Sequence, residues 1–230
     1  MFSLFEFPRV SVGIAGSTAE FPVRRIHCVG RNYAEHAREM GESGREPPFF
    51  FAKPADAVVS VAAGDEGLVP YPPRTANLHH EVELVVAIGV AGTNIAVADA
   101  ERHVFGYAVG VDLTRRDLQA ELKKKGQPWE MAKAFDHAAP IGPIQAAAAL
   151  GHPSAGAISL SVNGVARQRG NMADMIWSVP EVIAELSTYV ELCTGDLIFT
   201  GTPAGVGPLE RGDRVVAAIE GLGSLAFSIA

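Results

Sequence analysis

Cysteine is scarce: the 230 residues hold two, Cys28 and Cys193, far apart in the chain. A secreted disulfide framework needs more, so both are expected to be reduced thiols in a cytoplasmic protein. Long apolar runs are missing too. No stretch reaches the ~18 residues that a membrane span requires, and MFSLFEFPRV lacks the basic-then-apolar order of a signal peptide. Positive charge is not in excess. With 19 Lys+Arg against 26 Asp+Glu the formal net charge is -7, which argues against a nucleic-acid partner. The only basic cluster, Lys123–Lys125, reads as a solvated helix face.

A hydrophobic content of 48% supports one sizeable core, and 24 glycines with 15 prolines suit strands and turns better than a helical bundle. The expected class is α+β, dominated by strands. Residues 1–23 read as a small N-terminal β extension and 24–230 as the main domain. Strands are expected over RRIHCVG (24–30), LHHEVELVVAIG (78–89) and GYAVGVDL (106–113), and a hairpin over 158–171 around Asn163-Gly164. Helices are expected over 32–41 capped by Asn32, over 114–126 capped by Thr114, and over 178–192 with Ser178 as cap. QPWEMAKAFDHAAPIGP, 127–143, reads as loop.

The stretch 78–89 carries the first chemistry. Side chains alternate across a strand, so Glu81 and Glu83 point to one face, ~6–7 Å apart along it. Burying two carboxylates side by side is unfavourable without a cation. Asp112, ending a second apolar strand, gives them a third partner. All-oxygen ligands suit Mg²⁺, Mn²⁺ or Ca²⁺. A wet face of a half-exposed sheet would explain an E-x-E pair equally well, and spacing alone does not choose. His79 shares the glutamates' face and reads as a packing or supporting residue rather than a ligand.

His36 and Glu39, i and i+3 on the expected helix 32–41, are placed for a carboxylate to orient an imidazole, as a general base needs. An exposed polar helix face is the plainer reading of that spacing. Lys133, among Ala132, Ala134 and Phe135, is either a snorkelling surface lysine or a buried cation beside an anion. IFTGTPAGVG (198–207) lacks the lysine of a phosphate-binding P-loop. Its backbone N–H groups and the Thr202 hydroxyl suit a carboxylate, although a plain structural turn has the same pattern.

CVGRNYAEHAREMG, FFFAKPAD, HHEVELVVAIG, GYAVGVDLTRRDLQ, KGQPWEMAKAFDHAAPIGP, MIWSVPEVIAELS and GDLIFTGTPAGVGP, in this order, together resemble the fumarylacetoacetate hydrolase family, and within it the branch of bacterial fumarylpyruvate hydrolases and acylpyruvases. The resemblance implies a mixed β-sheet roll with short peripheral helices, usually a homodimer, and a Mg²⁺ or Mn²⁺ site on Glu81, Glu83 and Asp112. It places the family's active-site lysine on Lys133, its glutamine on Gln119, its loop threonine on Thr202, and its His–Glu dyad on His36 and Glu39. It implies a hydrolase that cleaves the C–C bond of a 2,4-dioxo acid such as 3-fumarylpyruvate, in the breakdown of aromatic compounds. Arg31, Arg74, Arg115 and Arg116 are all candidates for the remote carboxylate of the substrate, and Arg31 and Arg116 are taken as substrate-binding residues. Oxaloacetate decarboxylation and hydroxymuconate-type isomerisation are alternatives on the same scaffold. A non-catalytic cation-binding protein would have no use for Lys133 or the dyad.

Overall fold

The structure is a computed structural model, and it describes residues 8–33 and 46–230. Strands dominate, and among the described residues they form four sheets. The largest runs in the order Phe49–Lys53, Arg25–Gly30, Asp196–Phe199, Val82–Ile88, Val104–Val111, Ala139–Ile141, Val58–Ser60, with Gln145–Ala146 paired to Val104–Val111 beside that path. It is mixed: Asp196–Phe199 is parallel to Arg25–Gly30 and antiparallel to Val82–Ile88. A five-stranded sheet, Val165–Asn171, Ala157–Val162, Arg214–Ile219, Gly223–Ile229 and Gly67–Val69, packs against the middle of the first. Its period-2 pattern points Ile158, Leu160, Val162, Val215, Ala217 and Ile219 inward, all buried. Val82–Ile88 is buried at every residue, so both faces are covered and the half-exposed sheet is excluded.

Local chemistry explains the joints. Asn163 and Gly164, at φ 52° and 77°, make the hairpin turn where it was expected. The helix Val179–Tyr189 starts at Ser178, whose N–H donates to Glu181 Oε2 at 2.9 Å, with Pro180 in the first turn. A hairpin of Ser11–Gly13 with Glu20–Pro22 leads into the main body and buries Val12 and Phe21.

Three expectations need correction. LHHEVELVVAIG is two strands, not one: Leu78–His80 joins a small sheet with Thr114–Arg115 and Gly207–Leu209, and Val82–Ile88 joins the large one. The chain changes sheet at Glu81, so Glu81 sits at a corner and not within a ladder. Thr114 caps no helix. The helix is Arg116–Lys124, and Thr114 is paired with His79 in the small sheet. Residues 127–143 hold a one-turn helix, Glu130–Lys133, and the strand Ala139–Ile141.

Asp196 fixes the first strand of the main body. Its buried carboxylate lies 3.2 Å from Arg24 Nη1 and 3.1 Å from Arg25 Nη2. Burial alone would raise its pKa, but His27, the Cys193 N–H, Arg25 and Arg24 outweigh burial and hold it at about 2 against an ordinary 3.8. A depressed folded-state value stabilises the fold above the ordinary pKa, and that stability is lost as pH falls towards 2. Asp196→Asn is expected to lose on the order of 2 kcal/mol at pH 7. The deficit should close in acid, as urea unfolding across a pH series would record.

Candidate metal centre and substrate cradle

Antiparallel pairing builds the site. Val82 faces Val111 and Glu83 faces Gly110, so the register carries Glu81 opposite Asp112, where the Asp112 N–H donates to the Glu81 carbonyl at 2.8 Å. Gly110 has no side chain to compete with Glu83. A Cβ there would meet Val85 Cγ2 at 2.5 Å. As a result one carboxylate oxygen from each of Glu81, Glu83 and Asp112 lies within 4.8 Å of the others, and all three residues are buried.

Cations surround them. Lys133 Nζ donates to Glu81 Oε2 at 2.9 Å and to Asp112 Oδ2 at 2.7 Å. Burial would lower its pKa, but Asp112 and Glu81 outweigh that and raise it, so Lys133 is a fixed ammonium and not a base. The snorkelling alternative is excluded, since Lys133 is 2% exposed. Arg116 Nη2 pairs with Glu81 Oε1, and its Nη1 donates to Gln119 Oε1 at 2.6 Å. Arg116 Nε donates to His79 Nδ1 at 3.2 Å. Burial first, then Arg116, lowers the His79 pKa to about 4. His79 is therefore neutral: Nδ1 accepts and Nε2–H donates to Asn77 Oδ1 at 2.9 Å. It supports Arg116 and makes no approach to the triad's centre.

Glu83 differs from its neighbours. Its hydrogen bond comes from a backbone group, the Gly201 N–H at 2.7 Å. Burial, then Asp112 and Glu81, push its carboxyl well above the usual range. A hard divalent cation among three carboxylates is the partner such a group lacks, and an all-oxygen donor set fits Mg²⁺, Mn²⁺ or Ca²⁺. The void beside the triad is about 30 Å³, the volume of roughly one water or ion. The triad can therefore bind a metal.

Gly201 is held at φ +97°, and a Cβ on it would lie 2.7 Å from Asn32 Cβ. Gly201→Ala is expected to destabilise the fold by ~1–3 kcal/mol and to weaken Mn²⁺ binding by moving the N–H off Glu83. Thermal unfolding with and without Mn²⁺ would separate the two effects.

Gln119, Thr202, Arg31 and Arg116 line the same void as the triad and Lys133. Arg115 and Arg74 do not: Arg115 stacks over Phe135 with its Nη1 on the Met131 carbonyl, and Arg74 is exposed. His36 and Glu39 lie outside the described residues. Asn32 does not cap. Its Oδ1 accepts from the Trp177 N–H at 2.7 Å, and its Nδ2 donates to the Trp177 and Thr200 carbonyls.

Two buried residues were missed in the sequence. Lys53 Nζ lies 2.8 Å from Asp112 Oδ1 and donates to the Leu113 and Lys133 carbonyls. The signal was available: a lysine in phase with Phe49 and Phe51 on one strand face shares their side of the sheet. Gln168 ties two loops together. Its Oε1 accepts from the Val82 N–H, and its Nε2 donates to Thr202 Oγ1 at 2.7 Å and to the Pro203 carbonyl. It had no local signal, because it reaches the site across 34 residues of chain.

The sequence profile of the fumarylacetoacetate (FAA) hydrolase C-terminal family matches residues 25–230. The chain belongs to that family. It is similar to a fumarylpyruvate hydrolase from Pseudomonas aeruginosa, solved with Mn²⁺ and pyruvate: 56% identical, TM-score 0.98, covering 100% of this chain and 99% of that one. A protein from Burkholderia cenocepacia described as a putative fumarylpyruvate hydrolase is 57% identical at TM-score 0.92, covering 100% and 98%. The oxaloacetate tautomerase YcgM of Escherichia coli K12 is 42% identical, over 90% of this chain and 93% of its own length. Among the described residues no helix is long and apolar enough to cross a membrane.

Proposed function

We propose that this chain is a metal-dependent hydrolase that cleaves the C–C bond of a 2,4-dioxo acid, converting 3-fumarylpyruvate to fumarate and pyruvate in the breakdown of aromatic compounds. The observation that carries the reading is the buried carboxylate triad ringed by Lys53, Lys133 and Arg116. Three carboxylates and three cations cancel, so a divalent ion on Glu81, Glu83 and Asp112 would leave the cradle about doubly positive, matched to an anionic substrate. The similarity to a fumarylpyruvate hydrolase that holds Mn²⁺ and pyruvate supports the same choice. Mg²⁺ and Mn²⁺ are both suited to the donor set, and Ca²⁺ is a third candidate.

When bound, the ion supplies a Lewis acid for the charge that develops on the pyruvate half. The chain's residues do the rest. His36, oriented by Glu39, takes a proton from water, and the hydroxide adds to the distal acyl carbonyl. Lys133 and Gln119 stabilise the oxygen as it becomes negative. The bond between the acyl carbon and the pyruvate methylene breaks, its electron pair stays on the pyruvate enolate, and a proton then completes pyruvate. Thr202 and Arg116, beside the cradle, hold the carboxylate of the pyruvate half. The working form is proposed to be a cytoplasmic homodimer.

A second reading has its own support: the similarity to oxaloacetate tautomerase YcgM. The same enolate-stabilising cradle would serve tautomerisation of oxaloacetate, its decarboxylation, or a hydroxymuconate-type isomerisation. A panel of fumarylpyruvate, acetylpyruvate and oxaloacetate, with pyruvate and fumarate quantified and the oxaloacetate enol followed by its absorbance, tests the choice. The hydrolase reading expects fumarate and pyruvate in equal amounts at the highest kcat/KM. Turnover of oxaloacetate alone would overturn it in favour of the second reading.

A further inference from the structure

The strand Val165–Asn171 lies at the edge of the five-stranded sheet, and its one buried residue is a glutamine. A buried polar side chain needs partners. Gln168 has four, one for each hydrogen-bonding position of its amide. Oε1 accepts from the Val82 N–H at 3.1 Å and faces His80 Nδ1 at 2.9 Å. Nε2 donates to Thr202 Oγ1 at 2.7 Å and to the Pro203 carbonyl at 2.9 Å. His80 and Thr202 are buried as well.

The backbone sets the direction of every bond in this relay. The Val82 N–H can only donate and the Pro203 carbonyl can only accept, so the amide between them has one orientation. His80 Nδ1 must then carry the proton that it gives to Oε1, and Nε2 of the same ring has no partner among the described residues. At the other end Thr202 Oγ1 is already an acceptor. A hydroxyl has one hydrogen to give, and that of Thr202 has no acceptor among the described residues, although Thr202 lines the void beside the carboxylate triad. The loop is seated on this strand. The register skips Arg167, so that Gln168 faces Leu160 while Ala166 faces Ser161, and such a bulge re-aims the side chain beside it. Gly205, at φ +93°, passes over the bulge, where a Cβ would lie 2.2 Å from the Arg167 carbonyl oxygen. A Cβ on Gly170 would lie 2.7 Å from Pro203 Cβ.

We propose that Gln168, anchored by His80, is a positioning residue that holds the Thr202 oxygen as an acceptor and so commits the Thr202 hydroxyl hydrogen to a carboxylate oxygen of the substrate. The inference rests on the 2-oxo-acid reading above, in its hydrolase and oxaloacetate forms alike, and extends it to two residues that touch no substrate. A hydroxyl free to rotate presents a lone pair to an anion part of the time. One whose lone pair is engaged by an amide N–H presents its hydrogen, and that orientation is set before the ligand arrives. A fully satisfied buried network also holds its members rigidly.

The test is a double-mutant cycle, read by calorimetry of pyruvate binding to the Mn²⁺-loaded full chain. Gln168→Leu and Thr202→Val are each expected to weaken pyruvate ~5–20-fold. The double variant is expected to bind within about twofold of Thr202→Val alone, because Gln168 acts only through the hydroxyl. Combined with Thr202→Ser, which keeps the hydroxyl, Gln168→Leu is expected to show its full loss again. Mn²⁺ affinity, measured separately, is expected to stay within about twofold of wild type in every variant. His80→Phe repeats the cycle with Gln168 in place, so the test does not depend on Gln168→Leu folding. A loss of ~3–10-fold that vanishes in the Thr202→Val background is expected there. Losses that multiply, pyruvate affinity indifferent to Gln168 and His80, or Mn²⁺ affinity that falls with them would overturn the proposal. So would a wild-type chain that binds no pyruvate. Because the readout is binding, failure to cleave fumarylpyruvate counts against the hydrolase reading alone.

Discussion

Glu83→Gln is expected to abolish metal-dependent turnover, by ~10³-fold or more, and to leave the fold intact. The substitution keeps the shape of the side chain and an oxygen that can still accept the Gly201 N–H. It removes one negative charge from a set of three carboxylates, all buried. Burial and two neighbouring carboxylates already push the Glu83 carboxyl towards its neutral form, so loss of the charge in the metal-free protein relieves repulsion. The variant is therefore expected to melt at or above the wild-type temperature without metal and to gain less than wild type from added Mn²⁺. Steady-state assays with thermal unfolding measure both. Full activity in this variant would end the metal assignment.

His36→Ala carries the second large effect. Removing a general base lowers a proton-transfer-dependent step by ~10²–10⁴-fold, and that range is expected for hydrolysis of fumarylpyruvate. Decarboxylation of oxaloacetate needs no activated water and is expected to fall much less. The contrast distinguishes the base from a residue that merely shapes the site. Unchanged hydrolysis would move the base elsewhere, and equal loss on both substrates would place His36 in a step common to them. The expectation rests on the His36–Glu39 spacing and on the family pattern, because both residues lie outside the described structure.

The sequence revealed the strand-rich class, the Asn163-Gly164 hairpin and the carboxylate trio, since each depends on local signals: turn residues at fixed positions, and charge where burial is expected. It hid features that depend on which segments meet. The break at Glu81 is invisible locally, because 78–89 has strand character throughout. Only the separate pairing of Leu78–His80 with Thr114–Arg115 and Gly207–Leu209 draws it out of the large sheet. The same pairing takes Thr114 away from its expected cap, and its hydroxyl donates to Glu81 Oε1 at 3.2 Å. Lys53 meets Asp112 across 59 residues, a distance at which no periodicity speaks. Asn32, an ordinary polar residue by type, is a buried clamp between Trp177 and Thr200.

The cradle explains how Glu81, Glu83 and Asp112 tolerate one another. Lys133 and Arg116 hold Glu81, Lys53 and Lys133 hold Asp112, and Glu83 is left with a backbone N–H and a need for a cation. The most direct test is anomalous diffraction at the manganese edge from crystals of this protein soaked in Mn²⁺. The account predicts a single strong peak among the three carboxylates, absent in Glu83→Gln. No peak there, or a peak that persists in Glu83→Gln, would contradict it.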